Sequence, residues 1–228
     1  MAEKILVIGE SGSGKSTAIK NLNPESTFII NVIGKPLPFK GWKGSYVPFN
    51  KETKTGNLIS TNDWETIARA LIYIDKELPD VKTVLIDDAQ YIMSYEFMAR
   101  AKERGFDKFV EIAQHMFNVL TAPDKLRDDL TVIYLSHSDD VSANGYTKTK
   151  IKTIGKMLDE KITIEGLFTI VLLCLCYRTS EKKMDYVFVT MSNGTTTAKS
   201  PMGMFEGATI PNDLQFVLDK VKEYNNGE

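Results

Sequence analysis

Lys4-Ile5-Leu6-Val7-Ile8-Gly9-Glu10-Ser11-Gly12-Ser13-Gly14-Lys15-Ser16-Thr17 decides the fold. Residues 4–9 form a short apolar run bounded by glycine, which reads as a buried strand. From Gly9 onward the chain is a complete G-x-x-x-x-G-K-[ST] pattern, which chance would produce in on the order of one chain in a hundred of this size, glycine being near 7% of average sequence. The alternative is a Gly-rich turn with an incidental lysine, but the context argues against it. A strand runs into Gly9, and residues 15–22 read as a helix leaving the loop. In that setting backbone N–H groups and a helix N-terminus wrap phosphate oxygens. Gly9, Glu10, Ser11, Gly12, Ser13, Gly14, Lys15, Ser16 and Thr17 are therefore the candidate nucleotide-binding residues. Lys15 is expected to reach the β- and γ-phosphates, and the Ser16 hydroxyl to ligate Mg2+.

Outward from this loop the chain alternates strand-like and helix-like patterns. Residues 27–32 read as a second strand, 63–78 as a helix with Trp64, Ile67, Leu71 and Ile74 on one face, and 83–86 as a third strand. Helices are expected at 91–104 and 106–120, separated by Gly105, then a strand at 131–135. Residues 138–154 show no convincing apolar period and read as a functional or mobile loop. Strands at 168–178 and 185–191 form a closing hairpin, and Pro211-Asn212-Asp213 opens a last helix over 214–224. The expected fold is α/β: a three-layer P-loop arrangement with a mainly parallel sheet and a C-terminal antiparallel hairpin, one domain over residues 1–228.

An acid at the end of a neighbouring buried strand normally completes such a site by holding magnesium. Val84-Leu85-Ile86-Asp87-Asp88 supplies it. Asp87 is assigned to Mg2+ and Asp88 to orienting or deprotonating the attacking water. A cap for the helix near Tyr91 is the other reading of Asp88, and Gln90 is a rival for the water. The strand at 131–135 runs into Ser136-His137, where a polar side chain is placed to sense the γ-phosphate. A plain strand-end hydrogen bond is the alternative. His115, inside a helical pattern, reads as packed or exposed without a role.

Lys+Arg 28 against Asp+Glu 30 gives a net charge of −2. Any nucleic-acid contact must then come from a local basic cluster. With 43% hydrophobic and 25% charged residues, the composition excludes disordered, collagen-like and disulfide-dense classes. The longest apolar stretch, 168–177, is too short for a membrane helix of roughly 20 residues. No signal peptide is evident, so a cytoplasmic location and no membrane partner are expected. Cys174 and Cys176 lie two apart in that stretch, on one side of a strand, and read as buried small hydrophobes.

The order of P-loop, acid-ended strand, strand with a polar end, long loop and hairpin resembles the core of RecA-type ATPases. Asp87-Asp88-Ala89-Gln90-Tyr91, Gly155-Lys156-Met157-Leu158-Asp159-Glu160 and Thr197-Ala198-Lys199-Ser200-Pro201-Met202-Gly203-Met204-Phe205 resemble phage-encoded P-loop nucleotide-binding proteins that include RecA-like single-strand annealing proteins. The resemblance implies ATP and Mg2+ as cofactors, a homo-oligomeric ring or filament, single-stranded DNA as partner, and a bacterial host cytoplasm. His137 falls where RecA-like proteins carry a glutamine that reports the γ-phosphate to the DNA-binding loop, which here would be residues 138–154. Lys199 lies near the region whose lysines reach a neighbouring subunit's nucleotide, and is a candidate trans catalytic contact. One departure stands out. The second strand ends in Asn31-Val32-Ile33-Gly34, without the catalytic glutamate of RecA-type ATPases, so catalysis falls to Asp88 and rapid hydrolysis is not expected.

The loop has its own chemistry. Lys148, Lys150 and Lys152, with Lys156 beyond, are interleaved with Tyr146 and threonines, a mixture suited to a phosphate backbone and a stacked base. A solvated lysine-rich hairpin is the alternative. A second basic and aromatic stretch, 35–49, contains Trp42 and Tyr46, which read as packing rather than stacking on a ligand. The leading function is ATP-dependent single-stranded DNA binding. A small-molecule kinase is disfavoured because residues 138–154 carry no arginine for a lid, and a non-catalytic nucleotide switch remains a third class.

Overall fold

The computed structural model describes residues 1–143, 145–155 and 157–227. Among the described residues nine strands make one sheet: β1 (Glu3–Gly9), β2 (Thr27–Asn31), β3 (Leu58–Ser60), β4 (Thr83–Asp87), β5 (Thr131–Ala143), β6 (Tyr146–Ile151), β7 (Ile170–Arg178), β8 (Met184–Val189) and β9 (Thr209–Pro211). Their order is β3-β2-β4-β5-β1-β7-β8-β9, with β6 paired to β5 off this path. The pairs from β3 through β7 are parallel, and β8 and β9 add antiparallel at one edge. This is the mainly parallel, RecA-like α/β sheet that the sequence predicts.

Strand alternation sorts the apolar side chains into two cores. Leu6 and Ile8 of β1, Ile86 of β4 and Tyr134 of β5 face a layer made by α2 (Trp64–Glu77), α3 (Tyr91–Ala99) and α4 (Asp107–Thr121). Ile5, Val7, Leu85 and Ile133 face the other way, onto the helix after the P-loop and α5 (Leu214–Asn226). Two of the predicted helices, α2 and α5, start at aspartates that act as their caps. Asp63 accepts from the Thr66 N–H and Asp213 from the Gln215 and Phe216 N–H groups, which satisfies donors the first turn leaves open.

Four expectations are corrected. The helix at 15–22 is a six-residue 3₁₀ helix, Ser16–Asn21, ended by the extended Leu22 ahead of Pro24. The helix at 91–104 stops at Ala99, and Lys108 Nζ donates to the carbonyls of Arg100 and Glu103 just beyond. The strand at 131–135 runs on to Ala143, and the loop at 138–154 is in its first part an antiparallel ribbon, β5 against β6 from Ser138–Ile151 to Ala143–Tyr146. The ribbon escaped the apolar-period test because its residues are polar on both sides. Residues 35–49 hold only a short α1 (Trp42–Ser45), with Tyr46 buried and Trp42 packed beside it, as the packing reading expects.

Candidate functional site

Parallel register brings the chemistry to one edge of the sheet. Gly9 of β1 pairs with His137 of β5, and Asp87 of β4 pairs with Asn31 of β2. β1 leads to β2 on one side while its neighbour β5 leads, through β6, to β7 on the other, so the P-loop opens at the crevice in which open α/β sheets take ligands. Its backbone is shaped by glycine where glycine is required. A Cβ at Gly9 would stand 2.7 Å from the Cys174 carbonyl oxygen, and Gly14 sits at φ +102° with Tyr186 closing over it. The Cys174 thiol donates to the Ser13 carbonyl at 3.1 Å and receives a hydrogen bond from the Asn212 amide. Burial pushes that thiol up to about 11, so it is a neutral brace for the loop. The helix that follows is a short 3₁₀ turn, so it brings little helix dipole to the loop.

Lys15 is buried, and its ammonium donates to the carbonyls of Gly9 at 2.7 Å and Glu10 at 2.8 Å. An ammonium has three donors, so one is left for a phosphate. Burial pushes its pKa below the ordinary lysine value. The Ser16 hydroxyl donates to Asp87 Oδ1 at 2.9 Å. Asp87 is fully buried, and burial, then the neighbouring Asp88, push its carboxyl up to about 6. Asp87 Oδ2 has no hydrogen-bond partner among the described residues. A buried, half-satisfied carboxylate beside a serine hydroxyl fits a hard divalent cation, with phosphate and water oxygens completing the shell. No group of three or more His, Cys, Asp or Glu gathers to hold a metal among the described residues.

Asp88 holds φ +61°, a left-handed conformation that costs a non-glycine residue free energy, least for Asp and Asn. It is buried between His137 Nε2, 3.4 Å from Oδ1, and the Lys35 ammonium, which pairs with Oδ2. Burial alone would raise its pKa, but the contacts with His137 and Lys35 prevail and hold it below the usual carboxylate range. Lys35 escaped the sequence reading of the site. It follows Gly34 in the turn after β2, at the head of the basic and aromatic stretch 35–49, whose residues read as packing. That turn is held by Asn31, which accepts from the Gly34 N–H at 2.8 Å and donates to the Lys35 carbonyl at 2.7 Å. Gln90 turns away, its amide donating to Ser94 Oγ at 3.3 Å. His115 stacks on Trp64 at 4.1 Å and meets Glu96 at 2.8 Å, a packing role.

Ser11, Gly12, Gly14, Lys15, Ser16, Thr17, Lys35, Asp88, His137 and Tyr186 thus surround one cleft of about 280 Å³. A scan of protein families matches residues 1–202 to one described as an AAA domain. The chain belongs to that AAA domain family. No curated protein matches it. As an AAA domain the protein is a nucleotide-binding P-loop protein of the ATPase class.

The other predicted residues of this AAA domain lie outside the cleft. Lys199 is exposed and pairs by its backbone with Val171, at the start of β7 opposite Leu6 rather than at the P-loop edge. Tyr146, Lys148 and Lys150 lie in β6, Lys152 follows it, and Lys156 falls outside the described residues. Lys148 and Lys150 alternate onto one face of the ribbon, opposite Val141 and Asp139. Asp140 accepts from Thr149 at 2.6 Å on the other face. Three lysines therefore share the ribbon with Asp139 and Asp140, a weaker positive patch than the lysine run alone implies. No helix among the described residues is long and apolar enough to cross a membrane.

Proposed function

We propose that the protein is a slow, Mg2+-dependent ATPase that binds single-stranded DNA through the β5–β6 ribbon, in phage recombination or strand annealing in the host cytoplasm. The observation that carries this reading is the continuity of β5. His137 stands beside Asp88 in the cleft, and Ser138, the next residue of the same strand, begins the ribbon. The Lys152 N–H donates to the His137 carbonyl at 2.8 Å, so both ribbon strands are tied to the residue that faces the nucleotide. Ser16 and Asp87 would hold Mg2+, which neutralises charge on the phosphates. Lys15 binds the phosphates, and Asp88 orients the attacking water. In a ring or filament, Lys199 would reach a neighbour's nucleotide rather than its own.

The test is anisotropy of a labelled single-stranded oligonucleotide across a salt series, with and without Mg2+ and a slowly hydrolysed ATP analogue. If Lys148, Lys150 and Lys152 each meet a phosphate, log affinity falls against log salt with a slope of about −2. The Lys148→Ala/Lys150→Ala/Lys152→Ala variant should lose most of that slope. No binding at low salt in either nucleotide state would remove DNA from the reading and leave a nucleotide switch.

At the other end of the cleft, Thr17 and Tyr186 also border a second hollow with Lys20, Tyr177, Pro211 and Asn212. The nucleoside is expected there, with its base against the Tyr186 ring. Tyr186→Ala should weaken ATP about fivefold, from a lost stacking contact, and leave tripolyphosphate affinity unchanged. Equal weakening of both would place the base elsewhere.

A further inference from the structure

The turn after β2 carries more structure than a linker needs. Asn31 clamps Gly34 and the Lys35 carbonyl from one side. Leu37 is buried in the core on the other, between Pro36 and Pro38, which line the cleft. The backbone of Lys35 is thereby fixed, while its side chain stays 45% exposed and reaches Asp88. Lys15 and Lys35 are the two lysines lining the cleft, and Lys15 already spends two donors on its own loop. Lys35 sits with Asp88 and His137 at the end away from Thr17 and Tyr186, where the terminal phosphate of a triphosphate would arrive.

We propose that Lys35 recognises that terminal phosphate, exchanging the Asp88 carboxylate for it when a nucleoside triphosphate binds. The inference rests on the nucleotide-binding reading above. A phosphate with up to two charges and three acceptor oxygens is a stronger partner for an ammonium than one carboxylate. A diphosphate, ending one phosphate short, leaves the Lys35–Asp88 pair closed. The free protein thus holds Asp88 bridged, and the triphosphate unbridges it toward the water while His137 remains beside it. The role of Lys35 is to distinguish triphosphate from diphosphate.

Dissociation constants for a slowly hydrolysed ATP analogue and for ADP, both with Mg2+, decide the matter by displacement of a fluorescent nucleotide. Lys35→Ala should weaken the triphosphate about tenfold and leave ADP within about twofold, whereas Lys35→Arg keeps the preference. Asp88→Asn frees Lys35 in the unliganded protein and should tighten the triphosphate several-fold. That gain should vanish in the Lys35→Ala/Asp88→Asn double variant. Equal weakening of both nucleotides by Lys35→Ala, no change in either, or a gain that persists without Lys35 would each overturn the exchange. Wild-type protein that binds neither nucleotide would instead overturn the nucleotide reading itself, and the inference with it.

Discussion

Lys15→Ala is expected to weaken Mg2+-ATP binding by a factor of about a hundred or more, with the fold intact. The ammonium is buried at the mouth of the P-loop, held by the Gly9 and Glu10 carbonyls. In that position its remaining donor meets a phosphate with little solvent between them, and a charge-assisted contact of this kind counts for more than a surface pair. Truncation also leaves the two carbonyls without that partner, so the loop itself loosens. Burial of the charge disfavours it in the free protein, as its lowered pKa records. Removing it should therefore cost the unliganded protein little, and the thermal midpoint should move by no more than a few degrees. Titration calorimetry beside a melting curve separates the two effects. Near-wild-type affinity in the variant would move the nucleotide out of the P-loop.

The second large effect falls on turnover. Asp88→Asn should lower kcat by about 10² to 10³ without weakening triphosphate binding. Asparagine suits this test because, with aspartate, it tolerates the left-handed backbone that Asp88 adopts at φ +61°. Alanine would add strain and confuse chemistry with folding. The substitution keeps the size of the side chain and removes its basicity, so a fall in kcat reports on water activation. Phosphate release measured at saturating ATP is the readout. Unchanged turnover would take Asp88 out of catalysis.

The P-loop half of the candidate site was legible because its signals are local. Gly9 to Thr17 is contiguous, Asp87 ends an apolar strand, and Asp63 and Asp213 precede periodic helices. The same holds for the sheet, whose buried strands stand out as apolar runs. Lys35 was not legible, because nothing in Gly34-Lys35-Pro36 announces chemistry. Its meaning comes from long-range register, Asn31 against Asp87, which places the turn after β2 over the residue after β4. The ribbon was missed for a different reason. Thr147, Thr149, Lys148 and Lys150 alternate, but between two polar faces, so hydrophobicity carries no period. Asn144-Gly145 flanked by alternating residues was the available hairpin signal, and Gly145 takes φ +81° as such a turn requires. The helix predicted at 15–22 failed at its length, where Asn23-Pro24 cut it short.

The unbroken run of β5 also has a mechanical side. From Ser138 to Ala143 the ribbon runs on beyond the last sheet pairing at His137, but Thr149, opposite Asp140, is held by backbone hydrogen bonds to Thr195 and Thr197. Beyond that clamp three paired positions project, about 10 Å at the usual rise of a strand. A tilt of about 10° at the clamp displaces the tip by about 2 Å over that length. The gain of this lever is set by the number of paired residues. Shortening the ribbon by one pair on each strand would reduce the stroke in proportion while leaving its root unchanged.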